Sequence, residues 1–453
     1  MSKDAEKQID NVFVYIDKKL KRLQKQYAEI DTSNIDMRTE KSEALLRSLG
    51  YELTDTKEPM VLSDRKVLVV PSFDELSKEA EIAIGDNNSI EELFTEEELR
   101  ENERVIKNLN HDYKMIHHLD KYDVIISVAA AILGAAVDIV LVGIPKKGPD
   151  GLEAGKLAEY IRKKFDEKFS PKEMEKLANS KESKVPYDAQ DNRNTETYVE
   201  GLSAYYHRML SLGHDPILGF VLGVYDIMHG TMTTIDKRGH IVCQVMKVYS
   251  NRKATDIVSA LLKQIIHFKS DITTSMGLPA PLMGLFNLCQ FGSIGEEELT
   301  VAEIVQGMYY EGFDFIHFCT QSIPTILIEL VTRLGYAIKR IKEGNRVKDS
   351  IPISMNREKH PKLATMLFMA HTGATAINAG KVYFTKNPIS FNYPQWILFA
   401  KYSYKQLKWV LIEKPEARQK YVQGILNEEL NNILYETELL FNEYTRNYTV
   451  VFK

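Results

Sequence analysis

The chain has 453 residues, is 44% hydrophobic and 27% charged, and carries a net charge of −5. That length exceeds what one hydrophobic core usually supports, so more than one unit is expected. The acidic balance lacks the basic excess that a phosphate-gripping surface needs, so no nucleic-acid partner is expected.

In chain order, Ile9, Val12, Ile16, Leu20 and Leu23 recur at steps of three and four, which predicts an amphipathic helix. No signal-peptide apolar core precedes it. The three cysteines, Cys243, Cys289 and Cys319, have no redox or zinc-finger spacing. Together these features lead to an expected cytoplasmic location without disulfides. "TEKSEALLRSLG" reads as a second helix stopped at Gly50, and "RKVLVVPS" as one short strand. Thr95-x-x-Glu98 reads as a capping box opening a charged helix.

Val124 to Pro145 holds one charge, Asp138, in a span of transmembrane length. Two readings stay open: a buried core helix or hairpin, or insertion in a bilayer, which makes membrane or lipid a candidate partner. After the "KKGPDG" turn comes an amphipathic helix, "LEAGKLAEYIRKKFDEKF". Residues 170–201 are polar with few large apolar side chains and read as a linker or mobile loop. From Leu202 onward helical patterns follow one another, including 215–229, 253–271, 323–343, 358–378 and 416–443; "HIVCQVMKVY" and "TVVFK" look strand-like. The expected fold is mainly α: a multi-helix bundle with a charged N-terminal helical region and at most a few short strands. The expected divisions are 1–120, the charged region; 121–169, the apolar and amphipathic helices; 170–201, the linker; and 202–453, the helical core.

The candidate chemistry lies on four pieces. In "IIHFKSD", His267 and Asp271 are four apart on a helix, a spacing that reaches one metal ion or lets the carboxylate orient the imidazole. The pair is expected at the seam of an apolar arc of Ile257, Leu261, Ile265 and Phe268. In "LGHDPILGFVLGVYD", Asp215 and Pro216 signal a helix start, which puts His214 just outside it. Gly219 and Gly223 are expected to permit close helix contact. In "HPKLATMLFMAHTGATAINAG", His371 precedes a run of small residues that leaves room for a ligand or a helix. In "IPTILIELVTRLG", Glu329 and Arg333 read as an internal salt pair. Asp138 needs a partner, for which a histidine, an arginine or a metal would each serve. There is no G-x-S-x-G elbow, Walker loop, Rossmann fingerprint or H-E-x-x-H.

Five stretches together resemble an uncharacterised family of bacterial proteins: "VDIVLVGIP", "GHDPILGFVLGVYDIMHGTMT", "IIHFKSDITTSMGLPAPLMGLFNLCQFG", "EGFDFIHFCTQSIPTILIELVTRLGYAIK" and "HPKLATMLFMAHTGATAINAG". The resemblance covers roughly residues 120–410 and implies positions, not a reaction. His267 and Asp271 are also similar to the His-x-x-x-Asp of helical zinc phospholipase C enzymes and related membrane-bound metal-dependent hydrolases, although their amino-terminal ligand has no counterpart here. The expectation is a divalent metal (Zn, Fe or Mn) held by His214, His267, Asp271 and His371, with Asp138 as a further candidate. His214 and Asp271 would be the catalytic pair, acting on a phosphoester or lipid-like substrate. The competing expectation is a membrane-associated or interaction protein without catalysis.

Overall fold

A computed structural model describes residues 3–29, 33–50, 66–86, 88–148, 151–274, 276–293 and 298–453. Sixteen α-helices and six short strands are present among the described residues, so the fold is mainly α. The chain divides into two units, Met1–Met115 with Lys414–Lys453, and Ile116–Glu413. The C-terminal helix therefore groups with the N-terminal region and not with the core domain expected from 202 onward.

In the first unit, helix Lys3–Ala28 packs on helix Phe73–Ile84, whose Ser72 and Glu75 form a capping box. The Thr95–Glu98 box is present at the start of helix Glu96–Ile116, with Glu98 N 3.2 Å from Thr95 Oγ1. The two strand-like ends turn out to be one ladder: Lys66–Val70 pairs in parallel with Tyr448–Phe452. Neither strand can satisfy its backbone alone, so each depends on the other.

In the second unit, helix Lys121–Val137 starts on an Asp120 cap and continues in wider turns through Asp138–Val142. It lies antiparallel to the long helix Phe315–Lys342: Asp123 meets Lys339, and the Cβ position of Gly134 falls on Ile328. Helices Leu363–Thr385 and Tyr393–Lys408 complete this bundle, with Ala130, Ala131, Ile328, Ala370 and Ala374 buried between its members. Segments Glu96–Val142 and Phe315–Lys342 are each long and apolar enough to cross a membrane. Glu329 accepts from Arg333 at 2.8 Å, as the sequence predicts.

A second core forms around helices Leu222–His229 and Ile257–Asp271 and the antiparallel pair Thr231–Ile235 with Ile241–Val245. The predicted 215–229 helix is interrupted: a short turn at Leu218–Phe220 precedes Leu222–His229. Gly219 and Gly223 do make the expected close contact, because a Cβ on either would strike Gln264. The "KKGPDG" turn joins strands Lys146–Gly148 and Gly151–Glu153; Pro149 and Asp150 themselves lie outside the described residues.

Residues 170–201 are not a linker. Helix Pro171–Ala178 opens the segment, and Val185, Tyr187, Ala189 and Val199 are fully or almost fully buried in the second core. Most of the few apolar residues of this stretch pack, so its low hydrophobic content conceals a core role. Where backbones approach closely the tolerance for added volume is small. A Cβ at Gly134 would lie 2.4 Å from Ile328 Cγ1 and 3.2 Å from the Pro324 carbonyl. Gly134→Val is expected to lower stability by about 1–3 kcal/mol through overpacking, read as a shift of the urea midpoint.

Candidate metal centre

His267 and Asp271 do not sit at a seam. On helix Ile257–Asp271 the buried face is Ala260, Gln264, His267, Phe268, Ser270 and Asp271, while Ile257 and Ile265 are exposed. The periodicity located the faces, but the packed one is the polar one. His214 reaches the pair from the end of a short turn, Leu212–His214. That turn is fixed by Asp215, whose Oδ1 accepts from the backbone N–H groups of Ile217 (2.8 Å) and Leu218 (2.9 Å). The two halves of the His214–Asp215 dipeptide thus do different work, one aimed inward and one holding the backbone.

Two residues that the sequence did not single out complete the cluster. His207 comes from helix His207–Leu210. Asp188 comes from an irregular stretch, with a turn at Pro186 and Tyr187, in which Val185, Tyr187 and Ala189 are buried in the core. The apolar residues of "VPYDA" were the available signal, since they anchor the backbone on either side of Asp188. No spacing pointed to His207. Tyr187 seals the site: its ring meets those of His214 and His267 edge-on at 5.1 and 5.5 Å. Its hydroxyl donates to Gln264 Oε1 at 2.6 Å, and Gln264 Nε2 donates to the Gly213 carbonyl at 2.7 Å.

The protons can be assigned from the partners. His267 Nδ1 lies 2.9 Å from the Ser183 carbonyl and His207 Nδ1 lies 2.9 Å from the Ala204 carbonyl. A carbonyl only accepts, so both nitrogens carry hydrogen, and in the neutral ring each Nε2 carries the lone pair. His214 Nδ1 is 3.2 Å from Asp271 Oδ2 and 3.3 Å from His267 Nε2. Both neighbours accept, so a proton on His214 Nδ1 serves both. The inner side of the cluster then closes on itself, with Arg208 Nη2 3.1 Å from Asp271 Oδ1.

The outer side does not close. With its proton on Nδ1, His214 presents a bare Nε2, as His207 does. Both Nε2 atoms are buried without a hydrogen-bond partner. Both face Asp188 Oδ1, at 3.4 Å from His207 and 3.9 Å from His214. The three ligand atoms lie within 4.8 Å of one another. Ligands held tetrahedrally at zinc distances stand about 3.3–3.6 Å apart, so the spacing is slightly wide of, but close to, that of a cation site. His207 Nδ1–H on a carbonyl and His214 Nδ1–H on a carboxylate are the outer contacts that metal-bound imidazoles usually make. The inner atoms His214 Nδ1, His267 Nε2 and Asp271 Oδ2 also fit a cation by distance, but there one proton already satisfies them.

Electrostatics agrees with this assignment for His214. Burial pushes His214 down to about 4 against the pull of Asp271, so the ring is neutral at neutral pH. Against the cost of burial, Arg208 and the two neighbouring imidazoles hold Asp271 well below the usual carboxylate range. Asp188 is held low despite burial, first by a hydrogen bond from His207 and then by the charge of the surrounding imidazoles, which requires a proton on a facing Nε2; a cation bound there would take that proton's place.

The other predicted ligands lie elsewhere. His371 stacks on Tyr402, contacts Gln395 through Nδ1 and faces Glu329 at 3.8 Å. Asp138 pairs with Lys381 at 3.0 Å and accepts from Asn392 at 2.6 Å. Its partner is thus a lysine from the neighbouring helix, and neither residue joins the His214 cluster.

No protein-family model matches this chain, and no match was found among curated proteins or solved structures. Because the folded state keeps Asp271 ionised below the unfolded value near 4, its contribution to stability is complete above that pH and is lost as pH falls towards the folded pKa. Arg208→Met, which leaves the buried carboxylate without its cationic partner and with only the His214 N–H, is expected to cost about 3–5 kcal/mol at pH 7. The gap to wild type should narrow at pH 3, where the variant's carboxyl protonates; urea denaturation at the two pH values checks it.

Proposed function

We propose that this chain is a metal-dependent hydrolase whose divalent cation is bound by Asp188, His207 Nε2 and His214 Nε2. The observation that carries the reading is the pair of bare, buried imidazole nitrogens facing one carboxylate oxygen. Three protein ligands leave a coordination position to water, the usual difference between catalytic and structural sites. A divalent cation there would supply an activated water and polarise a phosphoryl oxygen. Asp188, with 14% of its side chain exposed against 0% for His214, is the side from which water and substrate arrive. His214 binds as a neutral ring. Asp271 is a positioning residue that holds the proton of His214 on Nδ1. His267 shares that proton, and Arg208 keeps Asp271 ionised. The substrate class, a phosphoester of lipid-like character, rests on the likeness of His267-x-x-x-Asp271 to the membrane-bound hydrolases. Association of the chain with membranes is part of the same reading, supported by its two long apolar helices.

Elemental analysis of tag-free protein after reconstitution with Zn, Fe(II) or Mn is expected to give one equivalent of metal. Asp188→Asn and His207→Ala should each lose it, while His267→Ala should retain it with affinity about 10- to 100-fold weaker. Wild type without metal after all three reconstitutions would overturn the reading. Metal that survives Asp188→Asn and His207→Ala but is lost in His267→Ala would move the ion to the inner side. With metal bound, hydrolysis of bis(p-nitrophenyl) phosphate should be lost in Asp188→Asn.

A further inference from the structure

The two long apolar helices of the second unit have their polarity reversed. On helix Phe315–Lys342 the buried positions include His317, Thr320, Gln321, Thr325 and Thr332. Every exposed position from Phe315 to Ile341 is Ile or Leu: Ile326, Leu330, Leu334 and Ile338, four apart, then Ile341. On the partner helix, Asp123, Ser127 and Asp138 are buried with small residues. Every exposed position from Val124 to Leu141 is Val, Ile, Leu or Ala. A helix facing water buries its aliphatic stripe and shows its polar one; here both helices do the opposite.

We infer that this paired helix face, Val124–Leu141 beside Ile326–Ile341, is the surface through which the chain seats in one leaflet of a lipid bilayer, an inference that rests on the membrane association proposed above. The strip offers no side-chain hydrogen-bond donor or acceptor along its length. A protein interface typically carries about one hydrogen bond per 100–200 Å², whereas acyl chains need none. The exposed run ends at Lys121 and Tyr122 on one helix and at Lys342 on the other, which is side-chain chemistry suited to a headgroup boundary. These ends lie together, because Lys339 bonds Asp120 and Asp123 at the antiparallel helix termini.

The attachment is one-sided. Tyr402 donates to Glu329, halfway along Phe315–Lys342, and helix Tyr393–Lys408 runs along the bundle antiparallel to Leu363–Thr385, Gln395 meeting His371 and Gln406 meeting Thr365. This helix exposes Lys401, Lys405 and Lys408. A bundle crossing the bilayer would draw these ammonium groups into the hydrocarbon, Lys401 to mid-depth, at high cost. Seated on one leaflet, the bundle keeps them in water while the opposite face is buried among acyl chains.

The test is flotation of the purified full chain with vesicles of phosphatidylcholine and phosphatidylglycerol on a density gradient. The comparison is wild type, Ile132→Lys/Leu334→Lys, which changes one exposed position on each helix, and Val258→Lys, an exposed position on the Ile257–Asp271 helix. Circular dichroism and bound metal are measured on all three. Wild type and Val258→Lys are expected to float, and the double variant to lose at least tenfold of its vesicle-bound fraction with helicity and metal unchanged. A wild type that never floats overturns membrane association itself. Equal flotation of wild type and the double variant leaves association standing and overturns this surface. A wild type that does not float but forms a dimer, lost in the double variant, assigns the face to a second copy and likewise overturns the inference.

Discussion

The proton on His214 Nδ1 has two acceptors, Asp271 Oδ2 and His267 Nε2, and everything else in the buried cluster follows from where it sits. While it occupies Nδ1, Asp271 can remain ionised against Arg208, His267 can keep its Ser183 contact, and Nε2 of His214 is left bare towards Asp188. The surrounding core keeps this arrangement dry. Tyr187 covers both rings and is itself tied to Gln264, which in turn fixes the backbone at Gly213 beside His214. The imidazole of His214 is thereby held neutral and in one orientation, as the proposed cation site requires.

Much of the helical architecture was legible because it is written locally. The Thr95–Glu98 box and the Glu329–Arg333 pair each need only a neighbour three or four residues away, and both are present; Gly219 and Gly223 announce a close approach by their spacing, though Gln264, which makes it, lies far along the chain. The His267–Asp271 pair was legible for the same reason, and His214 could be placed near a pocket from Asp215 and Pro216. What could not be read was which face of a helix is packed. For Ile257–Asp271 the answer depends on the polarity of the surfaces opposite it, and these come from segments more than fifty residues away.

Asp188 and His207 were missed for different reasons. Asp188 lies in a stretch whose average composition is polar, and averaging hides three buried side chains. His207 joins the site through the fold of a short helix and a turn, which has no periodic signature. His371 and Asp138 show the converse error. Both lie beside small residues on apolar helices, as ligands often do, but Lys381 meets Asp138, and Gln395 meets Nδ1 of His371, whose Nε2 stays without a hydrogen bond, close to Glu329. A buried polar group calls for a partner, and here other side chains supply most of them.

The parallel pairing of Lys66–Val70 with Tyr448–Phe452 ties together strands from opposite ends of the chain. Its closing entropy is therefore among the largest of any contact in the molecule. During synthesis the first strand emerges long before its partner exists, and the intervening Ile116–Glu413 unit has all of its own residues available first. Lys66–Val70 therefore presents an open strand edge until Tyr448–Phe452 has been made, and the first unit closes only after the residues of the second have all appeared.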